Sequence, residues 1–432
     1  MELQRLGERL ALTKAAKQLE IKDPEVIGLA HKLVCETVRR QNFIDFLINS
    51  ALAPRSLHDF RLGPQAFLRL YTYDTKMVNG DFEKAVSIAR MGRSILGWRE
   101  VQEIEETLGE ILSTRPDRVL KGLSDEERVG LLTYHPAWFV KYCFRLLERR
   151  EALRFLEYAT EIPPTYVRMN TLKAPEETSL KRMKTEGVTL EKVPQLQHAY
   201  KVTESQKALT RTQSFREGLF YIQDKASCLA AEVADPQAST TVMDVCAAPG
   251  AKTTYLAQLM ENKGVIYSVD YSRRRMRVWK QEIKRMGVRI AIPVIADARK
   301  PLPVGSSADL VILDPPCTST GAFSKMPSAK WRLTKRSILR MSRFQWEMLN
   351  QCARHVKEGG FLVYSTCSVT LEENEMLIEK FLKWHPEFRL VDAMPRIGSP
   401  GMRGQNQCQR LYPHLHECNG FFVAKLIRES LN

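Results

Sequence analysis

From residue 213 onward, short apolar runs alternate with helical segments, and this alternation limits the fold more than any other feature of the chain. The runs are TVMDV (241–245), GVIYSVD (264–270), AIPVIAD (291–297), DLVILD (309–314), GFLVYS (360–365) and GFFVAKLI (420–427), with segments such as AKTTYLAQLM and SRRRMRVWKQEIKRMG between them. Such alternation predicts a doubly wound α/β sheet. Ligands of such sheets bind outside the carboxyl ends of the strands, near the point where strand order reverses, so residues just after each strand are the candidates for chemistry.

The first of these ends reads CAAPGAKT (246–253), small residues and a glycine that let a ligand approach the backbone before the next helix begins. It is neither a Walker loop nor GxGxxG. Asp270 ends the second run, where a carboxylate can accept from ribose hydroxyls, and Asp297 ends the third. Together they point to a nucleoside-containing cofactor. With no phosphate-binding lysine motif beside them, S-adenosylmethionine (AdoMet) fits best, and NAD stays open.

The fourth and fifth runs end in DPPCTSTG and YSTCSVTLEENE, which put Cys317 and Cys367 at strand ends on the same side. Buried structural cysteines are the ordinary alternative. A free thiol with a pKa of about 8.5 is only a few per cent thiolate at pH 7, a cost of roughly 2 kcal/mol that a basic site lowers.

Upstream, residues from Leu6 to about Thr114 read as helices. Val34, Val38, Ile44, Leu47, Ile48 and Leu52 form one apolar stripe, and Phe67, Leu70 and Tyr71 continue it. Prolines in IKDPE and LGPQ mark helix ends. STRPD (113–117) reads as a linker, IPPTYVRMNTLK as a strand, and mixed α/β sequence runs on to about Gln213. The predicted domains are 1–115, 116–212 and 213–432. The helical part is expected to be a packing domain whose basic faces add nucleic-acid contacts.

Charge narrows the partners. Sixty-five Lys and Arg against 50 Asp and Glu leave +15, which favours a polyanion. No apolar run reaches 18 residues and the start lacks a secretory stretch, so a cytosolic protein without a membrane span is expected. Nine scattered cysteines fit reduced thiols.

CAAPGAKT, DPPCTSTG, YSTCSVTLEENE and RLYPHLHECNGFFVAKL, with RMNTLK and FYIQDKAS upstream, together resemble the RsmB/Nop/Sun RNA (cytosine-5-)methyltransferases, in that family's motif order from about Tyr134 to Ile427. LVCETVRRQNFIDFLINSAL and GPQAFLRLYTYD resemble a NusB-like RNA-binding domain. The resemblance implies a Rossmann-like class I AdoMet-dependent methyltransferase domain, preceded by a small mixed α/β RNA-binding subdomain and an all-helical NusB-like domain. It implies 5-methylcytosine formation in RNA, ribosomal RNA favoured and transfer RNA open; a monomer is the default expectation, apart from the resemblance.

By the same resemblance Cys246, Ala247, Ala248, Pro249, Gly250, Ala251 and Lys252 wrap the methionine part of AdoMet. Asp270 holds the ribose, Asp297 lies by the adenine and Arg275 helps fix the cofactor. Asp314 faces both the methyl-transfer centre and the cytosine. Cys367 corresponds to the nucleophile, and Cys317 to the cysteine that assists product release. The chemistry explains the thiols: carbon 5 of cytosine is a poor nucleophile until a thiolate adds to carbon 6. Ala251 and Ser319 stand where glycine is commoner.

Other readings remain at this stage. Cys408, His414, His416 and Cys418 are zinc-ligand types at a sparse spacing, without a CxxC pair, and no metal is expected. RRRMR (273–277) is most simply a solvated helix face, with cofactor or RNA contact as the alternative. An RNA-binding assembly factor with an inactive methyltransferase domain is the competing function.

Overall fold

The computed structural model describes residues 7–78, 81–305 and 307–430, so the helical start expected at Leu6 lies outside the described residues. The chain divides into two units, Met1–Glu161 with Phe323–Arg332, and Ile162–Ala322 with Leu333–Asn432.

The first unit is helical. Pro24 opens the helix Pro24–Arg39, with Asp23 accepting from Glu25 N at 2.8 Å as its cap. The apolar stripe read from Val34 to Leu52 is broken at Arg40, which separates that helix from Gln41–Leu52. Ile44, Ile48, Leu68, Tyr71, Ile104 and Ile111 form the core, whereas Leu70 is 38% exposed. On the helix Leu62–Met77 the inward face runs through Leu68, Tyr71, Thr72 and Thr75, and Leu70 lies off it. Of the STRPD stretch only Thr114 and Arg115 lie between the helices Glu105–Ser113 and Pro116–Val119, and helices continue in this unit to Tyr158.

Phe323–Arg332 is bound among these helices. Arg39 donates to the carbonyls of Ala159 at 2.7 Å and Ser324 at 3.0 Å. Lys330 Nζ and Trp331 Nε1 donate to the Arg39 and Val38 carbonyls at 2.9 and 2.6 Å, and Phe323 lies edge-on to Phe139. Every one of these bonds satisfies a polar group at the edge of a core.

The second unit contains two sheets. The small one, antiparallel in the order β2-β3-β1-β4, comprises β1 (Tyr166–Met169), β2 (Val188–Lys192), β3 (Ala199–Ser205) and β4 (Phe220–Ile222). The strings RMNTLK and FYIQDKAS supply the residues that pin it to the rest of the unit. Arg168, fully buried, donates to Gln223 at 2.9 Å and to Thr254 at 2.8 Å and stacks on Tyr255 at 4.5 Å. Asn170 donates to the carbonyls of Gly218 and Met286 at 2.8 and 2.9 Å. A cation buried without a carboxylate is tolerable here because acceptors and two aromatic faces surround it.

The large sheet runs β7-β6-β5-β8-β9-β13-β12-β11, with β10 also on β13. β5 (Thr241–Val245), β6 (Val265–Asp270), β7 (Ala291–Ile295), β8 (Ala308–Leu313) and β9 (Val356–Thr366) are parallel. β10 (Phe388–Val391), β11 (Ser399–Pro400), β12 (Gln409–Leu411) and β13 (Phe421–Arg428) add antiparallel pairings. The chain leaves β5 for β6 and β7 on one side, then crosses to β8 and β9 on the other. Strand order therefore reverses between β5 and β8. The Rossmann-like expectation holds, and the near-continuous apolar character of β5 and β8 follows from cover on both faces. No helix among the described residues is long and apolar enough to cross a membrane.

Candidate active site

Just after β5 the backbone turns into the left-handed region at Cys246 (φ 69°), and the Cys246 and Ala247 N–H groups both donate to the Val269 carbonyl at the end of β6. Cys246 packs against the core beside Cys352 and Met243; burial pushes its thiol well up, which removes it as a nucleophile. Ala247 and Ala248 are buried, Pro249 follows, and Gly250 (φ 116°) caps the helix Ala251–Leu259. Glycine is needed at 250, where an L side chain is strained. Ala251 is the first helical residue, so alanine there costs nothing.

Asp270, 3% exposed, organises this loop. Its carboxylate accepts from Ala248 N at 3.3 Å and Ser272 N at 2.9 Å, and pairs with Arg275 at 3.2 Å; Arg275 also donates to the Ala248 carbonyl. Three of about four lone-pair sites are then used, and one is left over. Arg275 braces the loop as well as the acid. Asp297 lies beyond β7, chelated by Arg299 at 2.7 and 3.0 Å, which holds its carboxyl below the ordinary value. None of the hydrogen bonds above joins it to Asp270.

Lys252 departs from the expected loop grouping. Side chains on a helix lean towards its N-terminus, and the Lys252 ammonium reaches Asp314 at 2.5 Å across the point of strand reversal. Burial works to lower this lysine, but the charges of Asp314 and Asp244 outweigh it and its pKa stands raised. Asp314 also accepts from Ser365 on β9 at 3.2 Å. One ion pair thus joins the loop after β5 to the loop after β8.

The two cysteines come together. Cys317 Sγ and Cys367 Sγ are 3.1 Å apart, and Ser319 Oγ lies 3.5 Å from Cys367 and 3.9 Å from Cys317. The hydrogen bond from Cys317 holds Cys367 below the ordinary thiol value, against burial, while the same bond and burial push Cys317 well up. The contact thus shifts the two thiols in opposite directions. The remaining thiols at Cys143, Cys228, Cys352 and Cys408 are raised by burial.

Glu373, which no sequence motif singles out by itself, holds both cysteine loops. It is 0% exposed and accepts from Thr318 N at 2.9 Å, Ser368 Oγ at 2.7 Å, Thr370 Oγ1 at 2.8 Å and Gln345 Nε2 at 2.9 Å, and from the Thr318 hydroxyl. The signal for it is the density of hydroxyls in CTST and STCSVT: buried donors require a common acceptor, and Glu373 is the nearby carboxylate. Gly321 and Gly420 press backbone on backbone; a Cβ on Gly321 would meet Gly420 O at 2.2 Å. Ser319 adopts φ 55°, a strain of about 1 kcal/mol for a residue with a side chain.

The residues suggested for zinc serve other bonds. His416 Nδ1 accepts from Tyr412 N at 2.9 Å, Cys408 and Cys418 are buried, and no cluster suited to a metal ion occurs among the described residues.

The family described as 16S rRNA methyltransferase RsmB/F matches residues 231–427, and that described as the N-terminal domain of 16S rRNA methyltransferase RsmF matches residues 136–225. A tRNA (cytosine(72)-C(5))-methyltransferase of Pyrococcus horikoshii is 39% identical over 219 residues, 51% of this chain and 55% of that protein, so the chain spans little more than half of this relative's length. A probable ribosomal RNA small subunit methyltransferase B of Bacillus subtilis is 31% identical over 315 residues, 70% of this chain and 68% of that protein. The crystal structure of PH0851 superposes with a TM-score of 0.84 at 30% identity, over 96% of this chain and 93% of that one. NSun6 from Pyrococcus horikoshii with SFG superposes with a TM-score of 0.64 at 27% identity, over 68% and 99%.

Proposed function

The chain belongs to the RsmB/F family of 16S rRNA methyltransferases, and from that footing we propose that it methylates carbon 5 of a cytosine in RNA with AdoMet as donor. Ribosomal RNA is favoured and transfer RNA is the second substrate class, since relatives of both descriptions match. The observation that carries the reading is the sulfur pair at the ends of β8 and β9, one thiol lowered and the other raised.

The donor site would be made of the Cys246–Lys252 loop and Asp270, whose free acceptor site suits a ribose diol; Asp297 would stand towards the adenine. SFG, an AdoMet analogue, in the similar NSun6 structure supports the choice. When bound, AdoMet supplies an electrophilic methyl group.

Cys367 adds as thiolate to carbon 6 of the flipped-out base, which makes carbon 5 an enamine carbon able to attack that methyl. Asp314, fixed between Lys252 and Ser365, meets the polar edge of the ring. After methyl transfer a base takes the carbon 5 proton, the freed electrons re-form the carbon 5–carbon 6 double bond, and the carbon 6–sulfur electrons return to Cys367. Cys317 is assigned to that release. The formal charge of +15 supports binding of the polyanion; that the protein works as a cytosolic monomer, with the helical unit adding RNA contacts, rests on the sequence alone.

Cys367→Ala should abolish transfer of labelled methyl from AdoMet to RNA, and Cys317→Ala should accumulate a protein–RNA adduct that survives a denaturing gel. Full methylation by Cys367→Ala would sink these roles. Bisulfite sequencing of cellular RNA with and without the gene identifies the cytosine.

A further inference from the structure

The loop Cys317–Gly321 carries three hydroxyls, and two of them are committed to the fold. Thr318 donates to Glu373, and Thr320 Oγ1 accepts from Val369 N at 2.9 Å and shares a bond with Ser368 at 2.9 Å. The third, Ser319, is the one that faces the sulfurs, 3.5 Å from Cys367 and 3.9 Å from Cys317. It does so from a left-handed backbone conformation (φ 55°) that favours glycine. A side chain kept where glycine would relieve the backbone points to work done by that side chain.

We propose that Ser319 is a positioning residue for the nucleophile, its hydroxyl aiming the Cys367 sulfur and favouring its thiolate form. The proposal rests on the reading of Cys367 as nucleophile. A hydroxyl suits both protonation states of the partner: Cys367 S–H donates to Ser319 Oγ when the thiol is protonated, and Ser319 O–H turns to donate when the proton has gone. The groups that face Cys367 from the neighbouring elements pull in different directions. Cys317, on the loop that carries Ser319, donates to it, and Lys252 on the helix after β5 attracts its charge. Asp314 after β8 and Glu373 after β9 disfavour that charge. A second donor on the sulfur offsets the two carboxylates. The same hydroxyl lies within 4 Å of Cys317, so Ser319 spans the capturing and the releasing sulfur.

The test uses the full chain with two variants. Ser319→Gly removes the hydroxyl and relieves the backbone, so folding is secure; Ser319→Ala removes the hydroxyl and keeps the strain. Alkylation of Cys367 by iodoacetamide is followed against pH, site by site, by peptide mass spectrometry. Cys367 loses its proton as pH rises, so a lost donor moves the midpoint upward. The expected shift is about 0.5–1 pH unit in both variants, equivalent to roughly 3- to 10-fold less thiolate on the acid side. Single-turnover methylation should fall by the same factor at low pH and recover at high pH. An unchanged alkylation midpoint in both variants overturns the proposal, as does a loss of rate equal at every pH, which marks a structural role. The alkylation arm needs neither RNA nor AdoMet, so it decides the part played by Ser319 even if methylation itself fails in the wild type.

Discussion

The two sides of the strand reversal are built differently. On the β5–β6 side one acid, Asp270, draws backbone N–H groups and Arg275 around a loop of small residues, and spare acceptor capacity is left over. On the β8–β9 side Glu373 is saturated by donors from both cysteine loops, and nothing is spare. The difference follows from what each side must do. Under the proposed function, the first loop would exchange partners with a cofactor in every cycle, while the second would hold a nucleophile at one distance from its partner. Only the Lys252–Asp314 pair crosses from one side to the other in the hydrogen bonds described above.

The largest test of this contrast is Glu373→Ala. It orphans several buried donors at once and should cost about 3–5 kcal/mol in urea denaturation. A cost near 1 kcal/mol would remove the distinction between the two sides. Arg275→Ala is expected to be milder, because the guanidinium is partly exposed and the backbone N–H bonds to Asp270 remain. Stability should fall by about 1 kcal/mol and the calorimetric Kd for AdoMet should rise about 10-fold, with Cys367 alkylation unchanged. Should Arg275→Ala instead shift the thiol, the two sides are coupled more tightly than one ion pair allows. The smallest effect is set for Ala251→Gly, which restores the commoner residue of the resembled motif. In the first turn of a helix it should lower stability by about 0.5–1 kcal/mol and leave AdoMet affinity as it was; a gain in affinity would mean that the loop, not the helix, claims residue 251.

The sequence reading succeeded where local pattern and tertiary fate coincide. All six apolar runs are strands of the large sheet; β5 and β8 inside it are buried almost throughout, whereas β7 at its edge is largely exposed. β10, β11 and β12 were illegible: they are two to four residues long and owe their form to pairing along β13 and to one another, not to their own residues. Cys317 and Cys367 could be singled out from their strand-end positions, but their 3.1 Å approach depends on a 50-residue excursion that no spacing encodes. Lys252 reads in sequence as a member of the glycine loop, yet the direction of a helical side chain sends it to Asp314. Glu373 is signalled only indirectly, by the hydroxyls of CTST and STCSVT that need an acceptor, since its donors come from two separate loops and from Gln345 on a third segment. For Ser319 the sequence offers only that glycine is commoner at its place in the resembled motif, and the left-handed turn is seen in the backbone angle.

The passage of Phe323–Arg332 into the helical unit bears on where this protein can be cut. The segment begins two residues beyond Gly321, and it is seated by groups on the helical side: Arg39, the Val38 carbonyl and the ring of Phe139. Removing the first 161 residues would strip that seat from a peptide whose Lys330 is fully buried and whose Phe323 is 3% exposed. The boundary between modules, drawn along the chain, therefore differs from the boundary drawn through space. A shortened protein that keeps every residue of the α/β unit would still carry ten residues whose packing partners had gone, tethered directly to the loop that bears Cys317.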